Sequence, residues 1–188
     1  MKIGIDSRRK KAWTVMKLWP GALLVDVTSK GPEPWVRFSP FFPHGGIPIP
    51  NTPDQTAASV EGLWQGLKVF EKEDTDPAKW AVTNMKNIKR SGKSRGALRG
   101  HRFGATSDVL LGYRDARYRI YLPAYRWVLE NRLTRELEQL REQAEQRPVV
   151  LLDYQTNANV DDLSTPLSHA ALVKWYLEDK WPATPGKV

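Results

Sequence analysis

A segment rich in proline and glycine, "GPEPWVRFSPFFPHGGIPIPNTPDQT" at residues 31–56, constrains the fold most. Its seven prolines exclude a regular helix, because proline fixes φ and lacks the backbone N–H that helical hydrogen bonding needs. Its aromatic residues argue against a disordered linker, since disordered segments are usually poor in aromatics. We therefore predict an ordered loop that wraps over the core, with a short strand at 47–49.

The rest of the chain predicts short strands near both ends and helices between them. "TVMKLW" (14–19) and "ALLVDVTS" (22–29) flank a Pro-Gly turn signal, which predicts an N-terminal hairpin within about residues 1–30. "PVVLLDY" (148–154) has the apolar run of a buried strand. The predicted helices lie at 56–72, 75–89, 108–146 and 168–181.

Two features interrupt this helical part of the chain. Pro123 is expected to break or kink the long helix near residue 122. Residues 90–107 contain repeated Gly and Ser and are predicted to form a loop. A length of 188 residues suits one domain, so the sequence predicts a helix-rich, single-domain α+β fold over 1–188, with a helical core at 56–181.

The formal net charge of +8 favours polyanionic partners such as nucleic acid, nucleotides or phosphorylated metabolites. Residues 86–102 contain seven Lys or Arg and no acid. This run fits a phosphate-binding segment, and it fits equally a solvated, mobile loop. The chain has no cysteine, no apolar run long enough for a membrane span and no secretory signal pattern, so we predict a cytoplasmic protein without a membrane partner. No pattern calls for a metal or another cofactor.

The stretch "AASVEGLWQGLKVFE" at 57–71 carries the candidate chemistry. Its large apolar residues share one helical face, and Gly62 and Gly66 share another. A third stripe contains Glu61, Gln65 and Lys68. Glycine inside a helix costs about 1 kcal/mol relative to alanine, which is tolerable where another backbone or a ligand approaches closely. The polar stripe is either a solvated surface or the wall of a pocket.

The order of these pieces resembles the NADAR family of YbiA-like N-glycosidases. That family has an aromatic loop of the form L-S-N-F-Y-P before a helix S-V-E-H-x-x-Q-x-x-K-F. Here "FSPFFP" at 38–43 precedes "SVEGLWQGLKVF" at 59–70, with Ser59, Val60, Glu61, Gln65 and Lys68 matched in identity and spacing. The family histidine is replaced by Gly62, the loop asparagine by Pro40, and the C-terminal Trp-Gly pair is absent.

The resemblance implies hydrolysis of an N-glycosidic bond, in riboflavin-pathway intermediates or in ADP-ribosylated guanine. It implies a nucleotide-like small molecule or ADP-ribosylated nucleic acid as the partner. Glu61 is then the key carboxylate, and Gln65, one turn later, orients water or a ribose hydroxyl. The residues implied in substrate binding are Phe38, Ser39, Phe42, Lys68, Arg95, Arg114, Tyr118 and Asp161.

Two non-enzymatic alternatives remain open from the sequence. The basic run at 86–102 fits a nucleic-acid-binding protein without catalysis, and the 125–146 helix fits a partner-binding module. Phe42, Arg114, Tyr118 and Asp161 also have ordinary structural explanations, as core or helix-surface residues. The position of the acidic residues distinguishes the nucleic-acid-binding alternative from the enzyme. A protein that only binds polyanions has no use for a carboxylate in its cleft.

Overall fold

The computed structural model describes residues 2–184, which form short strands and helices in alternation. The strands are β1 (Ile3–Ser7), β2 (Leu23–Asp26), β3 (Ile47–Pro48), β4 (Thr56–Ala57), β5 (Lys68–Phe70), β6 (Leu98–Arg102), β7 (Leu110–Leu111) and β8 (Val149–Asp153). The α-helices are α1 (Ala12–Leu18), α2 (Val60–Gly66), α3 (Gly92–Arg95), α4 (Tyr113–Ala116), α5 (Leu122–Arg132), α6 (Thr134–Gln146) and α7 (His169–Leu177). The predicted α+β class is confirmed.

The described residues fall into two compact units. The first comprises residues 2–39 and 129–183, and the second comprises residues 40–128 with Thr184. The boundary falls inside α5, between Val128 and Leu129. The organisation as one domain over 1–188 stays a prediction.

A three-stranded parallel sheet in the order β1-β8-β2 forms the centre of the first unit. Strand β8 is predicted correctly. It is central because it pairs with β1 on one edge and with β2 on the other, and both faces of its apolar run are covered. Val150 packs with Val15 of α1 and with Ala22 in one cluster. The other face of β8 carries Val149 and Leu151, which are also fully buried.

The N-terminal hairpin prediction is wrong. Residues 12–18 form helix α1 rather than a strand, and β1 and β2 do not pair with each other. Both strands run parallel to β8, so the N-terminal segment is a β-α-β unit with β8 inserted between its strands. A short apolar run fits a helix turn as well as a strand, and burial of Val15 against Val150 selects the helix.

The helices predicted at 56–72 and 75–89 are shorter in the structure. In the first stretch, β4 precedes α2, and α2 ends at Gly66, before β5. The second stretch contains only a 3₁₀ turn at Pro77–Lys79. The loop predicted at 90–107 instead contains α3 and β6, and β6 pairs antiparallel with β5 and β7. Sheet pairing with a distant strand is a tertiary effect that local patterns do not reveal.

The loop at 31–56 is ordered, as predicted, and includes a 3₁₀ turn at Trp35–Phe38 and the short strand β3. The predicted break at Pro123 takes another form. Residues 117–121 form a π-helical turn, and the helix continues into α5. Proline cannot donate to the carbonyl group four residues earlier and its ring presses on that carbonyl, so the turn before it widens. The long helix ends instead at Arg132, and α6 begins at Thr134.

Helix α7 (His169–Leu177) fulfils the prediction of a final helix, and the Ser168 side chain caps its first turn. None of the helices within residues 2–184 combines the length and the apolar composition that crossing a membrane requires.

Candidate functional site

Glu61 lies in the first turn of α2 and is 8% exposed. The helix begins where it does because the Ser59 hydroxyl accepts a hydrogen bond from the Gly62 N–H at 3.0 Å. The Glu61 N–H donates to the Pro40 carbonyl oxygen at 2.8 Å, which anchors the helix start to the aromatic loop. The Glu61 carboxylate is therefore part of a packed wall rather than a solvated surface charge.

A chain of hydrogen bonds fixes the orientation of the Glu61 carboxylate. The Gln65 amide Nε2 donates to Glu61 Oε1 at 2.8 Å. The Gln65 Oε1 atom accepts from the Arg90 N–H at 2.9 Å. Since a backbone N–H can only donate, it determines which end of the Gln65 amide is oxygen, and so directs the amide NH₂ group to Glu61.

The buried side chain of Arg90 connects the parts of this network. Its side chain is fully buried, and its guanidinium donates to the carbonyl oxygens of Gln65 at 3.2 Å, Lys68 at 2.8 Å and Asp74 at 2.6 Å. It also lies 3.3 Å from a Glu73 carboxylate oxygen. A buried guanidinium is tolerated only with such a set of acceptors. Arg90 therefore joins the end of α2, strand β5 and the acidic turn that follows.

The charge of the Glu61 carboxylate acts on Lys68. Burial lowers the pKa of Lys68, and the Glu61 carboxylate partly counteracts that shift. The neighbouring charges of Lys89 and Arg90 lower the Lys68 pKa further. The Lys89 ammonium lies 5.4 Å from the centre of the Phe41 ring, within reach of a cation–π contact. The charges of Glu61 and Lys89 therefore both act on Lys68.

His101 and Trp64 form an aromatic layer next to this network. Trp64 is on α2, and His101 on β6 is paired in register with Lys68. The two ring centres are 3.8 Å apart. His101 is fully buried, and neither of its ring nitrogens has a hydrogen-bond partner among residues 2–184. Burial, together with the charge of Lys68, lowers the pKa of His101 to about 3, so the ring is neutral at physiological pH.

The two glycines of α2 are explained by close packing. A Cβ at Gly62 would lie 2.5 Å from the Lys79 carbonyl oxygen, and a Cβ at Gly66 would lie 2.0 Å from Trp80 Nε1. The expectation that another backbone or a ligand approaches these glycines is therefore fulfilled by the 79–80 segment. The position of the family histidine, Gly62, is filled by that backbone.

Many of the cations at 86–102 are paired with acids at 71–76. The partners of Arg95, Arg99 and Arg102 are Glu73, Glu71 and Asp74 respectively. The hydrogen bonds from Arg102 lower the pKa of Asp74. With Arg90, four of the seven basic residues in the run have a carboxylate partner. Antiparallel pairing of β5 with β6 brings the acidic turn beside the basic run.

The remaining predicted site residues are distributed over both units. In the second unit, Phe42 contacts the His44 ring, with centres 4.8 Å apart, and the Arg114 guanidinium lies over the Tyr118 ring at 5.1 Å. In the first unit lie Phe38, which is buried and stacked on Trp35, as well as Ser39 and Asp161. Of the predicted set, the structure brings Gln65 and Lys68 to Glu61.

Sequence reasoning does not identify Arg90 and His101. The acidic residues of "EKEDTD" at 71–76 are the one feature of the sequence that suggests ion pairs with the basic run at 86–102. No local sequence pattern predicts that the two segments lie side by side. Burial of His101 follows from its position on the central strand of the β5-β6-β7 sheet. Within the described residues, no cluster of three or more His, Asp or Glu side chains is arranged to hold a metal ion.

The chain belongs to the family of unknown function DUF6939, whose sequence profile matches residues 7–173. The match includes the whole of the Glu61 network. No curated protein matches the chain significantly.

Proposed function

We propose that this member of the DUF6939 family hydrolyses an N-glycosidic bond of a ribose-phosphate or ADP-ribosyl compound, with Glu61 as the key carboxylate. The observation that carries the proposal is the buried Glu61 carboxylate, held by a Gln65 amide whose own orientation is set by Arg90. Such fixed groups stabilise charge in a transition state without a reorganisation cost. The resemblance of residues 38–70 to NADAR proteins supports the same chemistry.

The proposed reaction requires a negative group beside the sugar carbon. The C1′–N bond breaks, and its electron pair leaves with the base nitrogen. Positive charge develops at C1′ and the ring oxygen, where the Glu61 carboxylate stabilises it. The oxygen of a water molecule then bonds to C1′, and Glu61 takes a proton from that water. Glu61 then releases this proton to solvent, and the released base takes one proton from solvent, which restores the carboxylate. Gln65 keeps the carboxylate in position throughout.

Cations near Glu61 support a phosphorylated substrate. The charges of Glu61 and Lys89 both act on Lys68, and positive groups such as these lysines attract phosphate oxygens. By contrast, four of the seven basic residues at 86–102 are paired with acids. This pairing reduces the positive charge available to a nucleic acid backbone, so a purely nucleic-acid-binding role has less support than catalysis.

The test is Glu61→Gln, which keeps the size of the side chain and removes its charge. We expect a loss of at least about 10²-fold in kcat, as for other single electrostatic or general-base groups. Substrate binding should be nearly unchanged, because the ground state carries little charge at C1′. The measurement is base release from ADP-ribosylated guanine in DNA and from a ribosylaminopyrimidine phosphate.

Glu142→Gln is the matched control, since Glu142 is an exposed glutamate on α6. Its activity should equal that of the wild type, at the same folded fraction by circular dichroism. Equal rates for wild type and Glu61→Gln would refute the role of Glu61. Absence of release from both substrates by the wild-type protein would refute the proposed activity on these compounds.

A further inference from the structure

A cleft of about 270 Å³ lies in the second unit, and its lining includes no residue of the Glu61 network. It is lined by Pro48, Pro50, Arg119, Pro123, Ala124 and Trp127. Arg119 is the one charged side chain in this lining. The proposed hydrolysis uses none of these residues, so the cleft needs an explanation of its own.

The walls of the cleft are rigid. Three of the lining residues are prolines, whose rings fix φ and leave little freedom to collapse into the space. Pro48 is held in β3 by its pairing with Thr56 of β4. Arg119, Pro123 and Trp127 follow one another at intervals of four along the helical stretch, so they form one stripe. A preformed cleft lowers the ordering cost of binding a ligand.

Arg119 supplies the polar recognition group. Its guanidinium carbon lies over the Phe103 ring, 4.1 Å from the ring centre, which is a cation–π contact that holds the group in place. Arg119 is exposed, and within residues 2–184 no carboxylate forms an ion pair with it. A guanidinium in such a contact keeps its N–H donors at its edge, which is the geometry that binds carboxylate or phosphate oxygens.

We propose that this cleft binds a small molecule with one planar ring and one anionic group, either a carboxylate or a phosphate. The ring packs against Trp127 and the prolines, and the anion pairs with Arg119. Ligand pockets usually have volumes of roughly 300–1,000 Å³, and a cleft slightly below that range fits a single ring. An extended peptide or a nucleic acid strand is larger than this volume accommodates.

The test is a titration of ¹⁵N-labelled full-length protein with benzoate and with phenyl phosphate, followed by NMR of the indole N–H signals. The chain has eight tryptophans, and Trp127→Phe identifies the Trp127 signal by its disappearance. We expect that signal to move with saturation in roughly the millimolar range, as expected for a ligand of this size. Benzyl alcohol has the ring without the charge, and acetate and inorganic phosphate have the charge without the ring; each should bind at least about tenfold more weakly.

Arg119→Gln should weaken binding of both anionic ring compounds at least about tenfold and leave benzyl alcohol unaffected. Arg119→Lys keeps the charge and should retain part of the affinity. Arg135→Gln changes an exposed arginine on α6 and should bind like the wild type. The proposal is overturned if Arg119→Gln binds benzoate as tightly as the wild type. It is also overturned if no probe moves the Trp127 signal, or if the uncharged alcohol binds equally well.

Discussion

The Nδ1 atom of His169 lies 3.0 Å from the Oδ2 atom of Asp153, and both side chains are buried. The Nε2 atom of His169 lies 2.8 Å from the carbonyl oxygen of Val27. Both ring nitrogens therefore face acceptors, and the ring is best satisfied when it is protonated and donates from each. Asp153 Oδ2 also accepts from the Ser168 hydroxyl at 2.8 Å. This buried ion pair connects the end of β8 with the start of α7 and the end of β2.

Asp153→Asn is expected to lower the free energy of unfolding by about 3–5 kcal/mol, because it leaves a buried histidine without its counter-ion. Burial raises the pKa of Asp153, but His169 and the hydrogen bonds from Ser168 and the Ala170 N–H outweigh it and lower the pKa. Burial lowers the pKa of His169, but Asp153 and Val27 outweigh it and raise the pKa. The stability that ionised Asp153 contributes is lost as pH falls through its lowered pKa. The stability that protonated His169 contributes is lost as pH rises through its raised pKa.

The difference in the free energy of unfolding between the wild type and Asp153→Asn should therefore be largest between the ordinary pKa values of these groups, roughly pH 4 to 6.5. Urea denaturation across this range measures it. Asp179→Asn is the control, since Asp179 is exposed and has a φ of 54°, a conformation that asparagine also adopts. Its unfolding free energy should stay within about 0.5 kcal/mol of the wild type. Equal effects of the two substitutions would contradict a stabilising ion pair.

Gly66→Ala should destabilise the protein although alanine is the better helix former. The added Cβ would lie 2.0 Å from Trp80 Nε1, so the indole must move. Overpacking of this kind costs about 1–3 kcal/mol, which exceeds the gain of about 1 kcal/mol in helix propensity. Thermal unfolding gives the comparison. Gly92→Ala in α3 meets no atom within 4 Å and should be neutral or slightly stabilising; a stabilising Gly66→Ala would show that the 79–80 segment is not packed as described.

Arg90→Lys should be severely destabilising, although it keeps the charge. A lysine ammonium cannot reach all three carbonyl oxygens that the Arg90 guanidinium binds, so buried acceptors are left unsatisfied. We expect a loss of at least about 2 kcal/mol in the free energy of unfolding. Arg99→Lys offers the contrast, because the Arg99 side chain is 61% exposed and its pair with Glu71 is solvated. That change should be within about 0.5 kcal/mol, and similar losses for the two variants would refute the special role of Arg90.

His101→Leu should remove a sensitivity to acid. Because the His101 pKa is lowered to about 3 in the folded state, the unfolded chain binds a proton below about pH 6.5 that the folded protein does not. Stability is therefore lost as pH falls below about 6.5. Between pH 6.5 and pH 4.5, the wild type should lose on the order of 2–3 kcal/mol relative to His101→Leu. At pH 8 the His101 ring is neutral in both the folded and the unfolded wild-type protein, so the difference in stability measured there isolates the packing effect. A difference that does not change with pH would show that His101 remains protonatable when folded.

Several features of the fold follow from local sequence patterns. The apolar run at 149–153 predicts a buried strand, the prolines at 31–56 predict an ordered non-helical loop, and the apolar period at 56–72 predicts a helix, of which residues 60–66 are helical. The grouping of Glu61, Gln65 and Lys68 also follows from helical spacing, although Lys68 itself lies in β5 just after the helix. These predictions succeed because they depend on the residues and their immediate neighbours.

The sequence alone determined the features that depend on a few neighbouring residues: the loop at 31–56, the β8 strand, a helix within 56–72 and Glu61 as the candidate carboxylate. The tertiary structure decided the parallel order β1-β8-β2, the pairing of acids at 71–76 with arginines at 90–102, and the burial of Arg90 and His101. The physical reason is that hydrogen bonds between strands and the burial of charge join residues distant in the chain. A short apolar segment such as 14–19 can satisfy its backbone in a helix or a strand, so the packing partner selects between them.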